Sequence, residues 1–278
     1  SVLDLYDNQR VVGPQKDGQA ISWGELTAEV SQKLESLKGT DKSIVLLTQS
    51  FASPSTSKLI SEFKQKYTNV SHVVYDAISE STAADAFQNK YGKRGLVNYD
   101  FSKAQTIVSI GADFLGDWQG GGFDASYAKG RVPKQGKMSK HIQLEANMSL
   151  SGANADKRIP LNVTDQKQAL VKIYNIITGS SVTTAKFANE DLVVKAANQL
   201  KAAGSKGVLV SGIQDKNAQL LALAINNAIQ SEVIDVVVTK NIRKGNDTAV
   251  AQLIADMNEG KIGAVIINNS NPVYSLPN

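Results

Sequence analysis

The chain of 278 residues contains no cysteine. Disulfides, thiolate zinc sites, iron–sulfur ligation and a cysteine nucleophile are therefore excluded within it. Histidine is scarce: only His72 and His141 occur, and neither stands in an HxxE or HExxH spacing. Both open candidate strands, where a buried or edge histidine satisfied by backbone is the ordinary arrangement rather than a catalytic one. No stretch comes near the ~18 consecutive apolar residues of a membrane-spanning helix. The N-terminus also lacks the basic, then apolar, then small-residue succession of a signal peptide. A formal charge of +4 is small for this length, and no dense Lys/Arg stripe interleaves with aromatics, so nucleic acid is not the expected partner. The GxSxG and EF-hand spacings are missing as well. Carboxylates such as Asp113, Asp117, Asp124 and Asp156 are plentiful, but an acid–base pair is a matter of distances that a sequence does not contain.

What is present is an alternation of short β-branched runs with segments of helical period. The strand candidates are 43–49 "SIVLLTQ", 72–75 "HVVY", 106–111 "TIVSIG", 141–145 "HIQLE", 207–212 "GVLVSG", 233–238 "VIDVVV" and 264–268 "AVIIN". Near-continuous apolar runs suit parallel strands covered on both faces. A helix is expected over 22–37, where Trp23, Leu26, Val30, Leu34 and Leu37 fall on one face, Ser22 with Glu25 forms a capping box and Gly39 stops it. Further apolar stripes occur at Leu59/Ile60/Phe63/Tyr67, Leu170/Ile173/Ile177, Leu192/Val193/Ala196/Leu200, Leu220/Leu221/Ala224/Ile225/Ala228 and Val250/Leu253/Ile254/Met257. The pattern predicts an α/β fold of right-handed βαβ units, with 42% hydrophobic residues to fill its core.

One long region, 115–140, lacks convincing periodicity and reads as a glycine-rich loop. It lies within "GADFLGDWQGGGFDASYAKGRVPKQGKMS" (111–139), which raises the question of a phosphate-bearing ligand. A phosphate loop needs GxxxxGK followed by Ser or Thr; here five residues separate Gly130 from Gly136, and Met138 follows Lys137. A dinucleotide fingerprint fails too, because Gly120, Gly121 and Gly122 follow a Trp-Gln pair and no helix clearly begins after them. Lys129, Arg131, Lys134, Lys137 and Lys140 read as a solvated basic face that can meet an acidic neighbour.

Four stretches in order go further: "RVVGPQKDGQAISWGEL" (10–26), "YGKRGLVNYDFSKAQTIVSIGADFLGDW" (91–118, with "YDAISEST" before it), "EANMSLSGANADKRIPLNVTDQKQAL" (145–170) and "NNSNPVYSLPN" (268–278). Together they resemble the molybdopterin oxidoreductase superfamily, and most closely the molybdopterin-oxidoreductase-like part of the iron–sulfur subunit of bacterial alternative complex III. The resemblance implies two Rossmann-like three-layer domains with mainly parallel sheets. It places a discontinuous domain at 1–71 with 181–278 and an inserted one at 72–180. It also implies that the chain is a piece of a larger protein, "NPVYSLPN" being a strand-to-loop junction.

True members carry a Cys, selenocysteine or Ser molybdenum ligand just after the strand equivalent to "HVVYD". Here that region reads "AISESTAA", leaving Ser79 and Ser81 as candidates. The resemblance therefore implies a scaffold domain of a quinol-oxidising electron-transfer subunit, without cofactor, metal or catalytic residues of its own. Ser79 and Gly120, Gly121 and Gly122 are the candidate cofactor contacts. Its implied partners are an iron–sulfur ferredoxin-like domain of the same polypeptide and cytochrome or membrane subunits, on the periplasmic side of the cytoplasmic membrane. The alternative is a fragment of an active molybdopterin enzyme, holding molybdopterin guanine dinucleotide with a Ser ligand. A two-lobed periplasmic binding protein is a third reading that βαβ alternation permits.

Overall fold

The computed structural model describes residues 2–133 and 137–276. Along the chain, the hairpin β1 (Gln15–Lys16) and β2 (Gln19–Ala20) precedes α1 (Trp23–Leu37), β3 (Ser43–Thr48), α2 (Pro54–Lys66) and β4 (Val70–Val74). Next come α3 (Ser81–Tyr91), β5 (Leu96–Tyr99), β6 (Thr106–Ile110), α4 (Asp124–Arg131), β7 (Lys140–Glu145), α5 (Leu150–Ala153) and β8 (Lys157–Pro160). Then follow α6 (Val163–Thr178), α7 (Glu190–Ala203), β9 (Gly207–Ser211), α8 (Lys216–Ala228) and β10 (Ile234–Lys240). The last elements described are α9 (Asp247–Asn258), β11 (Ile262–Asn268) and α10 (Pro272–Ser275).

The chain forms two compact units, Ser1–Tyr75 with Asp247–Asn278, and Asp76–Asn246. The expected domain return at Ser181 falls instead at Asp247. The reason is strand pairing: β9 hydrogen-bonds to β6 in parallel, which draws α7, β9 and α8 into the second unit.

In the first unit, β11, β3 and β4 make a parallel sheet in that order. Alternation along β3 divides its side chains between two layers. Ile44 and Leu46 pack with Leu34, Leu37, Tyr67 and Val70 on one face; Val45 and Leu47 pack with Val73, Tyr75, Val250 and Leu253 on the other. Helix α1 begins as its sequence dictates: Ser22 Oγ accepts from the Glu25 N–H, and the Glu25 carboxylate accepts from the Ser22 N–H. Only its second half is covered, however. Leu34 and Leu37 are buried, whereas Trp23 is 69% exposed.

The second unit carries a parallel sheet of order β8-β7-β6-β9, with β5 and β10 pairing as a separate antiparallel ribbon. Val108, Ile110, Ile142 and Leu144 face α6, α7 and α8 through Ile173, Val193, Leu200 and Ile225. Ile107, Val208 and Val210 face an aromatic layer of Phe101, Phe114, Phe123 and Tyr127. Helices on both faces of a parallel sheet make the protein α/β, doubly wound and Rossmann-like. The region expected to be an unbroken loop holds α4, which starts two residues after Gly122. Its shortness, one glycine (Gly130) and a single buried apolar residue, Tyr127, hide its helical period. Lys134 and Gly136 lie outside the described residues.

Candidate functional site

Strand β6 is followed by β7 on one side and bordered by β9 on the other, so the strand order reverses between β6 and β9. Such a reversal leaves a crevice at the carboxyl ends of the strands, because the following connections turn away to opposite faces. A cleft of about 480 Å³ lies at these ends, lined by residues that include Gly111, Asp113, Glu145, Gln166, Gly212 and Gln214. Gly111 and Gly212 directly follow β6 and β9, and a Cβ on Gly212 would collide with the Gly111 carbonyl. Close strand approach therefore requires glycine there.

The sequence-predicted residues Ser79 and Gly120–122 come to this same unit and are bridged by Glu80. That carboxyl is buried, which pushes it above its ordinary range; a backbone N–H of Gln119, the Gln214 amide and Arg243 pull the other way. Ser79 is half-buried and its Oγ accepts from the Ser81 N–H at 3.0 Å. The Ser81 hydroxyl accepts from Arg94 at 2.9 Å, and Arg94 pairs with Asp85 at 2.9 Å. Gln119 takes φ +52°, a left-handed conformation that only a fixed turn holds in a residue with a Cβ. Its neighbours Gly120 and Gly121 donate their N–H groups to the carbonyls of Asp117 and Trp118, at 3.0 Å each. The Gly121 carbonyl accepts from the Lys240 ammonium, which also sits 3.7 Å from the centroid of the Phe123 ring. Arg243 reaches Asp117 at 2.7 Å. The glycine triplet is thus held within its own unit. Glu80 is the residue that sequence reading passes over; its only signal is an acid between two serines at a helix start.

A second constellation lies along β7. His141, Gln143 and Glu145 share one face of the strand and all are buried. Period two normally turns such a face to water; here it meets Tyr127, Phe114 and the Ala112 carbonyl. His141 Nε2 lies 3.0 Å from Gln143 Oε1, whose own amide nitrogen donates to Ala112 and Glu145. That oxygen must accept, so Nε2 carries the proton, and the unprotonated Nδ1 lies 3.2 Å from the Tyr127 hydroxyl, whose single proton also faces the Asn154 carbonyl at 3.1 Å. Burial holds the imidazole at a pKa of about 4, against the opposing Gln143 hydrogen bond. His141 is therefore neutral, with side-chain partners in place of the backbone ones expected. For Glu145, burial favours the acid form, but hydrogen bonds from Ser149 and Arg158 prevail and hold it below the ordinary carboxylate range. The Arg158 contact is 2.7 Å. At the other end of the strand, Asp156 takes a bidentate pair from Arg131 at 2.7 and 2.8 Å. Among the described basic residues of the glycine-rich loop, Lys129, Arg131, Lys137 and Lys140, Arg131 is the one that pairs with an acid.

No protein-family model matches the chain, and no curated protein matches it. Among the described residues, no helix is long and apolar enough to cross a membrane, and no three His, Asp or Glu side chains converge as a metal site.

Proposed function

We propose that the chain is a Rossmann-like scaffold module of a respiratory quinol-oxidising electron-transfer subunit, built on the plan of a molybdopterin oxidoreductase but without its cofactor. The four ordered segments of resemblance and the α/β architecture support this reading. The observation that carries it is the state of the glycine triplet. A pterin dinucleotide's diphosphate needs backbone N–H groups turned outward. Here the N–H groups of Gly120 and Gly121 are used inside the loop, and Lys240, a cation able to face an anion, is used on Gly121. Asp113 and Glu145 add carboxylates around the strand ends, which repel phosphate. The residues present do not fit the group.

A scaffold works through its surface. Val2, Leu3, Leu5, Tyr6, Val11, Val12 and Trp23 of the first unit are 66–81% exposed. Exposed apolar side chains in this number support burial against another body. In this reading the partners are the iron–sulfur ferredoxin-like domain of the same polypeptide and the cytochrome or membrane subunits, on the periplasmic side of the membrane. The test is Ser79→Ala in the assembled complex, scored by quinol oxidation per assembled complex. Unchanged turnover is expected; an assembled but inactive complex would favour the alternative, a molybdopterin enzyme with Ser79 on the metal.

A further inference from the structure

The cleft at the ends of β6, β7 and β9 has a chemical bias independent of the scaffold reading. Gln166 is 6% exposed and donates its amide nitrogen to the Leu161 carbonyl at 3.1 Å, which settles which end of the amide is oxygen. The oxygen faces the cleft and receives no hydrogen bond from the described residues. The atom is open to the cleft, so it can accept from a donor that enters there. It lies 2.6 Å from where a Gly111 Cβ would stand, and apart from its own amide carbon nothing else comes within 4 Å of that position. The absent side chain at Gly111 therefore leaves room for a ligand beside the orphan oxygen.

The rest of the lining decides the class. Asp113 accepts from the Ser151 N–H at 2.8 Å and has no cation paired with it among the described residues. Glu145 is matched by Arg158, and Lys167 brings a positive charge to the rim, where Asp215 holds it at 2.9 Å. Asn147, Ser149 and Gln214 are neutral and polar, and the 16-residue helix α6 opens on the cleft at Val163; Asn162 Oδ1 takes the Asp165 N–H at 2.8 Å, while the Val163 and Thr164 amides have no intrahelical acceptor. Acceptors, a carboxylate and a few donors together suit hydroxyl groups, which both donate and accept; the carboxylates disfavour phosphate. A cavity of about 480 Å³ is of the size that holds small organic ligands.

We propose that this cleft binds a neutral polyhydroxylated small molecule, a sugar or nucleoside, with one hydroxyl donating to Gln166 Oε1 and another to the Asp113 carboxylate. The test is amide NMR titration of the full chain with adenosine, methyl ribofuranoside, AMP and ethanolamine. Saturable millimolar shifts at Gly111, Gly212 and Ile213 are expected with the first two. Gln166→Leu weakens adenosine binding about tenfold or more, the loss of one hydrogen bond, while unchanged amide shifts of second-unit residues on the other sheet face, such as Phe101 and Phe123, verify its fold. Asp113→Asn, which keeps an acceptor for Ser151, retains adenosine binding at a few-fold lower affinity. Absence of saturable shifts with both adenosine and methyl ribofuranoside overturns the proposal. Tighter binding of AMP than of adenosine, or a response to ethanolamine alone that Asp113→Asn abolishes, overturns it equally.

Discussion

Acidification should strike this protein first at His141. The side chain is 0% exposed, and burial lowers its pKa from an ordinary 6.5 to about 4. The folded state therefore holds the ring neutral in a range where the unfolded chain binds a proton, so stability is complete above pH ~6.5 and is lost as pH falls toward 4. At about 1.4 kcal/mol per pH unit, the loss reaches about 2 kcal/mol at pH 5 and about 3 kcal/mol near pH 4. Glu145 and Asp156, whose folded pKa values are also lowered, add losses of the same sign at lower pH. The assay is direct because only two histidines exist. Histidine ring NMR, assigned with a His72→Gln variant, should leave the His141 resonance stationary from pH 7.5 to 5. Urea unfolding over the same range should show the loss of stability, and His141→Gln should flatten it. A His141 resonance that titrates near 6.5 in the folded protein, or an unfolding midpoint indifferent to pH, would refute the reasoning.

Arg158→Ala removes the one cation beside the buried Glu145 carboxylate, leaving it with neutral donors, and should cost about 2–4 kcal/mol in urea unfolding. Lys195→Ala breaks a pair whose side chains are 69% and 72% exposed, and should cost about 0.5 kcal/mol or less in the same assay. Gly212→Ala drives a Cβ into the Gly111 backbone and should prevent the second unit from folding, read as loss of its dispersed amide resonances. Gly39→Ala, with φ +75° and open space around it, should cost only about 1 kcal/mol. Ser22→Ala removes the capping-box acceptor of α1 and should lower stability by about 1 kcal/mol in the first unit.

Much of the architecture was legible where one physical signal dominated. The runs "SIVLLTQ" and "GVLVSG" are apolar on both faces and became β3, the middle strand of its sheet, and β9, fully buried although it ends its sheet. The Ser22–Glu25 box fixed the start of α1 to the residue. Where signals conflict, reading failed. Strand β8, "KRIP", begins with two charges and ends in proline, as an edge strand can, so no periodicity marks it. Helix α4 is short and contains Gly130, which lowers its propensity while tertiary packing of Tyr127 holds it. The domain return was misplaced because sequence alternation does not say which strand β9 pairs with. The strand at "HIQLE" was legible, but the contacts of His141, Gln143 and Glu145 were not, because their partners come from distant segments. The cleft was invisible for the same reason: Gln166 lies within a helix whose apolar stripe gives no hint that its amide oxygen faces the end of β6.

In the proposed function the framework persists without a pterin-bound metal. Molybdenum and tungsten content by mass spectrometry, with pterin fluorescence after oxidation, on the protein isolated anaerobically from its native host, tests it most directly. Metal and pterin far below stoichiometry, and unchanged by Ser79→Ala, are expected. One molybdenum and its pterin per chain, lost in Ser79→Ala, would contradict it.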